Sequence, residues 1–214
     1  MSMRKLLITL LGLLVLLAGL YYFLPRYTNY HLPVPAIPEK KETENKLLAK
    51  VKSQASEGKA FAESKKLSTH FAFLIDMSQP SGRYRFFVYD FKKDSIVEKG
   101  LVAHGSCNTR YLESAQFSNT PESGCSSLGK YKVSYSYKGQ FGKAYKLKGL
   151  DATNSNAFKR FVVLHAYDCV PDREVYPQPI CNSLGCPMVS YAFLDKLSSY
   201  IDNSKKPILL WIYQ

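Results

Sequence analysis

Cysteine is sparse in this chain, and none of it lies early: of 214 residues five are cysteine, the first of them Cys107. With none behind the N-terminal apolar run, a lipid-modified anchor is excluded. No C-x-x-C pair occurs, which argues against a zinc knuckle. Acid is scarce as well, 17 Asp plus Glu against 29 Lys plus Arg, for a net charge of +12. The basic surplus lies before Asp151, beyond which the two signs balance. Such a surface suits anionic partners such as lipid headgroups or wall polymers. Nucleic acid is the other usual partner of a basic chain, but no binding motif for it is present, and none is expected to bind. Internal repeats and low-complexity tracts are absent too, so the region from Thr69 onward reads as one domain with its own core.

What the chain does have is a long apolar start. Arg4 and Lys5 precede an uncharged run from Leu6 to Leu24, closed by Pro25-Arg26. A helix of that length matches roughly 30 Å of hydrocarbon. Tyr21, Tyr22 and Phe23 fall where an interfacial aromatic belt lies. Residues 1–26 are therefore expected to be a membrane anchor, in preference to a cleaved signal. The preceding positive charges put the rest of the chain outside the cytoplasm, anchored in the envelope, or secreted if the segment is removed. Residues 27–68 read as a linker: the Pro-spaced stretch His31–Pro38 is extended, and Glu42 to about Lys66 forms a partly amphipathic helix around Leu47, Leu48 and Val51.

Residues 69–214 read as mainly β, with strands at 70–76, 83–91, 95–104, 130–137, 144–147, 160–165 and 207–213. In Lys130–Tyr137 the tyrosines and Val133 alternate with Lys and Ser, which predicts one apolar face. Ser190 N-caps the domain's predicted helix, which runs to Asp202 with Ala192, Phe193, Leu197 and Ile201 at helical spacing. The loop from Gly105 to Gly129 is long enough to be functional.

Two short runs carry chemistry. His165 ends the strongly apolar strand, and Ser183-Leu184-Gly185-Cys186-Pro187 follows after a variable loop. A thiol needs a neighbouring base to act at neutral pH, and imidazole is the side chain best poised to be one. Glycine before the cysteine admits close backbone approach, and the N–H groups of Gly185 and Cys186 are candidate oxyanion donors. Five cysteines in an oxidising space leave at least one unpaired. Cys186 is the choice for the free thiol. The simplest pairing of the others is Cys107 with Cys125 and Cys169 with Cys181, although connectivity stays open. A zinc site from His165, Cys169, Cys181 and Cys186 is the competing use.

Taken with Val102-Ala103-His104-Gly105, Phe117-Ser118-Asn119, Ser126–Tyr131, Leu147–Asp151 and Arg160–His165, these runs resemble the murein L,D-transpeptidase catalytic-domain family, in its Gly-Cys-Pro branch. The resemblance implies a β-sandwich or sheet fold with a docked C-terminal helix. It also implies Cys186 as nucleophile, His165 as base, and the Ala166 carbonyl orienting the imidazole. Ser183, His104 and Asn119 match positions near the site and are expected to support it or to contact substrate; His104, at a strand end before glycine, is equally readable as structural. The implied reaction is acyl transfer from peptidoglycan stem peptides by a monomer, without metal or organic cofactor. The alternatives are an L,D-carboxypeptidase using water and a non-catalytic wall-binding protein. The chain departs from the broader family at Leu184, where histidine is common, and at Met188, where arginine is common.

Overall fold

A computed structural model describes residues 3–29 and 37–214; of the extended spacer expected over His31–Pro38, residues 31–36 lie outside the described residues, and Ile37 and Pro38 are not extended but open a helix, where proline is tolerated in the first turn. The chain divides into two units, Met1–Lys46 and Leu47–Gln214. In the first, α1 is one helix, Met3–Asn29. Among the described residues no helix is long and apolar enough to cross a membrane. The described leucines of this helix are bare, with Leu14 63% and Leu11 67% exposed.

The expected amphipathic helix is α2, Ile37–Ser64, and within the second unit it docks. Val51, Ala55 and Ala62 are buried on it, small enough to let its axis approach a sheet.

That sheet has eight strands: β1 Phe71–Asp76, β2 Phe86–Asp90, β3 Ser95–Gly100, β4 Gly129–Gly139, β5 Gly142–Gly149, β6 Val163–Ala166, β7 Met188–Val189 and β8 Leu209–Tyr213. Their spatial order is β3-β2-β1-β8-β4-β5-β6-β7, a single continuous sheet in place of two stacked ones. β1 with β8 and β6 with β7 are parallel; the remaining pairs are antiparallel. The period-2 alternation of strands sorts the side chains into two cores. Phe73, Ile75, Tyr131, Val133, Tyr145, Leu147, Leu164, Leu210 and Ile212 face one way and pack with α3, Tyr191–Asp202, through Phe193, Leu194 and Leu197. Ala72, Leu74, Phe87, Tyr89, Leu209 and Trp211 face the other way, toward α2. Helix α3 starts as the sequence predicts, with the Ser190 hydroxyl accepting from the Phe193 amide at 3.3 Å.

Three strand boundaries differ from expectation in ways that shape the site. The third strand stops at Gly100, because the following residues cross over to bridge Ala103 to Met188. The expected strand at Arg160 begins only at Val163, since Phe161 takes a left-handed φ of 58° and turns the chain. In β4 the alternation breaks after Val133, where a bulge inserts one residue before Ser136. Tyr135 is thereby pushed outward, 59% exposed, and Tyr137 is brought opposite Ala144.

Helix α2 covers its face of the sheet over β1 and β8 but contributes nothing to the cluster over β5, β6 and β7. On those strands the same face carries Ala144, Lys146, Val163 and His165, cross-strand neighbours by register (Ala144 opposite His165, Lys146 opposite Val163). It is closed by loops instead, and two disulfides brace them: Cys107–Cys125 and Cys169–Cys181. Both are the pairings expected as simplest.

Candidate active site

Cys186 is the free cysteine, partly exposed. The second disulfide takes two of the four ligands a zinc site needed, so that use of the cysteines is excluded. The loop holding Cys186 is pinned from within. Ser183 donates through its hydroxyl to the Cys186 carbonyl at 2.6 Å and accepts from the Gly185 amide at 3.1 Å. Ser126 then donates to the Gly185 carbonyl at 3.2 Å and accepts from the Gly105 amide at 3.0 Å. Gly185 itself has φ 113°, and a Cβ there would meet the Cys125 carbonyl oxygen at 2.7 Å. Only glycine fits.

The sulfur sits at the start of β6. It accepts from the Val163 amide at 3.4 Å, and the thiol points at the Phe161 carbonyl 3.9 Å away. His165, two residues along on the same face, is 4% exposed. Its Nδ1 lies 3.0 Å from the Ala166 carbonyl. A carbonyl only accepts, so Nδ1 carries the proton and Nε2 is left with a lone pair. Phe141 stacks on the imidazole, centroids 5.0 Å apart, and Tyr167 meets Phe141 edge-on. The ring is thus held by a hydrogen bond at one edge and an aromatic plane on one face.

Burial sets the resting charge state. It pushes the Cys186 thiol above its ordinary value, opposed by the Val163 amide and the positive charges of Arg160 and Lys146. It lowers the His165 imidazole, opposed by the Ala166 carbonyl. At neutral pH the imidazole is unprotonated at Nε2 and the sulfur rests as a neutral thiol. Arg160 is the cation that organises this corner: its guanidinium donates to the carbonyls of Ser118 and Cys125 and to the hydroxyls of Ser127 and Ser123. All four partners are neutral, so its charge remains uncompensated beside the thiol.

Four expected site residues are engaged in hydrogen bonds within the fold. The Gly185 amide donates to the Ser183 hydroxyl, while the Cys186 amide has no hydrogen-bond partner among the described residues. Ser183, 7% exposed, is turned inward to the Gly185-Cys186 turn by its two hydrogen bonds. Asn119 is used up as a brace, donating to the Ala152 carbonyl and the Ser155 hydroxyl and accepting from the Asn156 amide. His104 is fully buried. Its Nδ1 faces the Arg85 guanidinium at 2.9 Å and its Nε2 faces the Leu112 carbonyl at 3.0 Å. It has no surface left for a substrate. Met188, where arginine is common, pairs with His165 across β6 and β7 and packs with Leu101, Ala103, Val170 and Ile180, so no cation is offered there.

The buried His104 makes stability depend on acid. Burial, reinforced by the facing Arg85 charge, lowers its pKa from 6.5 to about 4. The unfolded chain takes up this proton first, so stability is present above pH 6.5 and is lost as pH falls toward 4, by about 3 kcal/mol at most. Urea unfolding at pH 7 and pH 4 should therefore show a smaller acid loss in His104→Gln than in the wild type. Equal losses in the two proteins would mean the imidazole is not held neutral.

Residues 41–213 match the L,D-transpeptidase catalytic domain. The chain belongs to that family. No curated protein matches it. Among solved structures it is similar to the L,D-transpeptidase from Xylanimonas cellulosilytica, at 15% identity over 67% of this chain and 60% of that one, with a TM-score of 0.38. It is also similar to the helical cell shape determining protein Pgp2 from Campylobacter jejuni, at 12% identity over 67% and 47%, with a TM-score of 0.41. The chain thus spans about half to three-fifths of the length of these relatives. Within the family domain, Lys146 and Phe141 lay outside every run that carried the resemblance. Arg160 and Ser126 lay inside such runs, but only the folded path shows what they touch: Arg160 the Ser118 and Cys125 carbonyls, and Ser126 the Gly185 carbonyl.

Proposed function

We propose that this protein is a cysteine-dependent L,D-transpeptidase acting on peptidoglycan stem peptides. The observation that carries the reading is a lone unpaired thiol at the start of the strand whose histidine has its Nδ1 locked to a carbonyl. In the proposed reaction His165 Nε2 takes the Cys186 proton as the sulfur attacks the carbonyl of stem residue 3. The carbon–nitrogen bond to the terminal D-alanine breaks, and the proton passes from the imidazole to the leaving amine. A side-chain amine of a second stem then attacks the thioester, the carbon–sulfur bond breaks, and the thiol is restored. The product is a 3-3 crosslink. The Cys186 amide faces the developing oxyanion. The proposed setting is the cell envelope, with α1 anchoring a monomer in the cytoplasmic membrane and the catalytic unit outside it; the uninterrupted apolar run Leu6–Leu24 supports this.

The test is to incubate the full chain in detergent with disaccharide tetrapeptide and resolve the products by mass. A crosslinked dimer with release of D-alanine is expected. Tripeptide monomer alone would mean that water is the acceptor and the protein is a carboxypeptidase. No product and no acyl-enzyme would leave a wall-binding protein.

A further inference from the structure

Lys146, like Lys132 on β4, is a half-buried lysine of the sheet with no ion pair among the described residues. Lys130 pairs with Glu57 and Lys143 with Asp202; among the described residues Lys146 makes no ion pair. Three rings hold it instead, Phe161, Tyr137 and Phe158, with Nζ 4.5, 5.3 and 5.8 Å from their centroids. A cation over aromatic faces is attracted without being neutralised, so its charge stays available. Its place is set by register: Lys146 lies opposite Val163 on β6, whose amide contacts the Cys186 sulfur. The cage depends on two irregularities of the chain. One is the β4 bulge, which turns Tyr137 onto this face. The other is the left-handed Phe161, whose ring is 73% exposed at the mouth of the site. A non-glycine residue in that conformation costs energy that surrounding structure must offset, and such outliers concentrate at ligand clamps.

We propose that Lys146 is an anion subsite of the cleft and takes the carboxylate of the residue following the scissile bond. The proposal rests on the peptidoglycan reading for the identity of the ligand, but not for the existence of the subsite. Neighbouring carbonyl carbons along a peptide stand roughly 4 Å apart. A carboxylate on the leaving residue therefore reaches a cation that flanks the sulfur when the sulfur reaches the carbonyl. The aromatic faces steady the ammonium beside the site without neutralising it, so its charge remains for the ligand. A donor lacking that terminal carboxylate leaves the ammonium unanswered and binds less well.

The experiment has two arms, each run on the full chain as wild type, Lys146→Met and Lys146→Arg. Cys186 is the free cysteine, so alkylation reports on it. Rates are measured with iodoacetate, an anion, and with iodoacetamide, its neutral analogue. Their ratio cancels any effect of Lys146 on the amount of thiolate. The ratio should fall about tenfold in Lys146→Met and be retained in Lys146→Arg. In the second arm, kcat/KM is compared for tetrapeptide donors ending in a free carboxylate or an amide. The wild type should prefer the acid by about tenfold or more, and Lys146→Met should lose that preference. An unchanged alkylation ratio in Lys146→Met overturns the subsite. A changed ratio in a protein that turns over neither donor upholds the subsite and overturns the transpeptidase reading.

Discussion

Cys186→Ala is expected to abolish acyl-enzyme formation, with a fall in turnover of at least about 10³-fold. The size follows from the lack of a substitute. The other four cysteines are in disulfides. Hydroxyls close to the sulfur are committed as donors: Ser183 to the Cys186 carbonyl, Ser126 to the Gly185 carbonyl and Ser127 to the Ser118 carbonyl. None can swing to an incoming carbonyl without breaking the loop that holds the site. Removing one sulfur also leaves the loop itself intact, because its pins are Ser183, Ser126 and the Cys107–Cys125 bridge. The thermal midpoint should therefore stay close to that of the wild type while the mass increment from a stem peptide or a carbapenem-type inhibitor disappears. Cys186→Ser should be nearly as inactive, since a neutral buried imidazole is too weak a base for a hydroxyl that starts far from ionisation. A covalent adduct of undiminished yield on the alanine variant would remove Cys186 from the chemistry altogether.

The parts of this molecule that were legible in its residues are those fixed by local chemistry. Short apolar and aromatic runs placed β1, β2 and β8, alternation placed the first half of β4, and Ser190 with the spacing of Phe193 and Leu197 placed α3, because propensity, capping and periodicity act within a few residues. The Gly185-Cys186 turn and the odd cysteine were equally local. Which of support and substrate contact His104 and Asn119 provide was not legible, for the opposite reason. Their types and neighbours suit a cleft, and only the tertiary path shows Arg85 and Leu112 enclosing one and the 152–156 turn consuming the other. Lys146 and Arg160 were hidden by the same rule. Each looks like an ordinary basic residue of a strand. What gives them weight is one inserted residue in β4 and one left-handed residue at Phe161, and no periodicity announces either. The α2 helix is an intermediate case: its apolar patch was visible at Leu47 and Val51, but Ala55 and Ala62 bury a second stretch through smallness, which composition reads as neutral.

His165→Gln should lower acylation by about 10²–10⁴-fold at pH 7 and, more tellingly, change the shape of its pH dependence. In the wild type the base must be neutral. Burial holds the imidazole below its ordinary 6.5, so the acylation rate rises with pH below that value and is already level at neutrality. The thiol ionises only above its ordinary 9.0, so it does not limit this plateau while the imidazole can take the proton during attack. Remove the imidazole and attack waits for preformed thiolate. The rate then climbs about tenfold per pH unit from neutrality to beyond pH 9, and at the alkaline end the variant approaches the wild type. Glutamine is the useful replacement because its side-chain amide can still donate to the Ala166 carbonyl and lie against Phe141, leaving the local packing in place while removing the base. Single-turnover acylation followed from pH 5 to pH 10 separates the cases. A level profile for His165→Gln across neutrality, parallel to the wild type, would show that another group takes the proton, and it would leave the Nδ1–carbonyl lock as a purely structural contact.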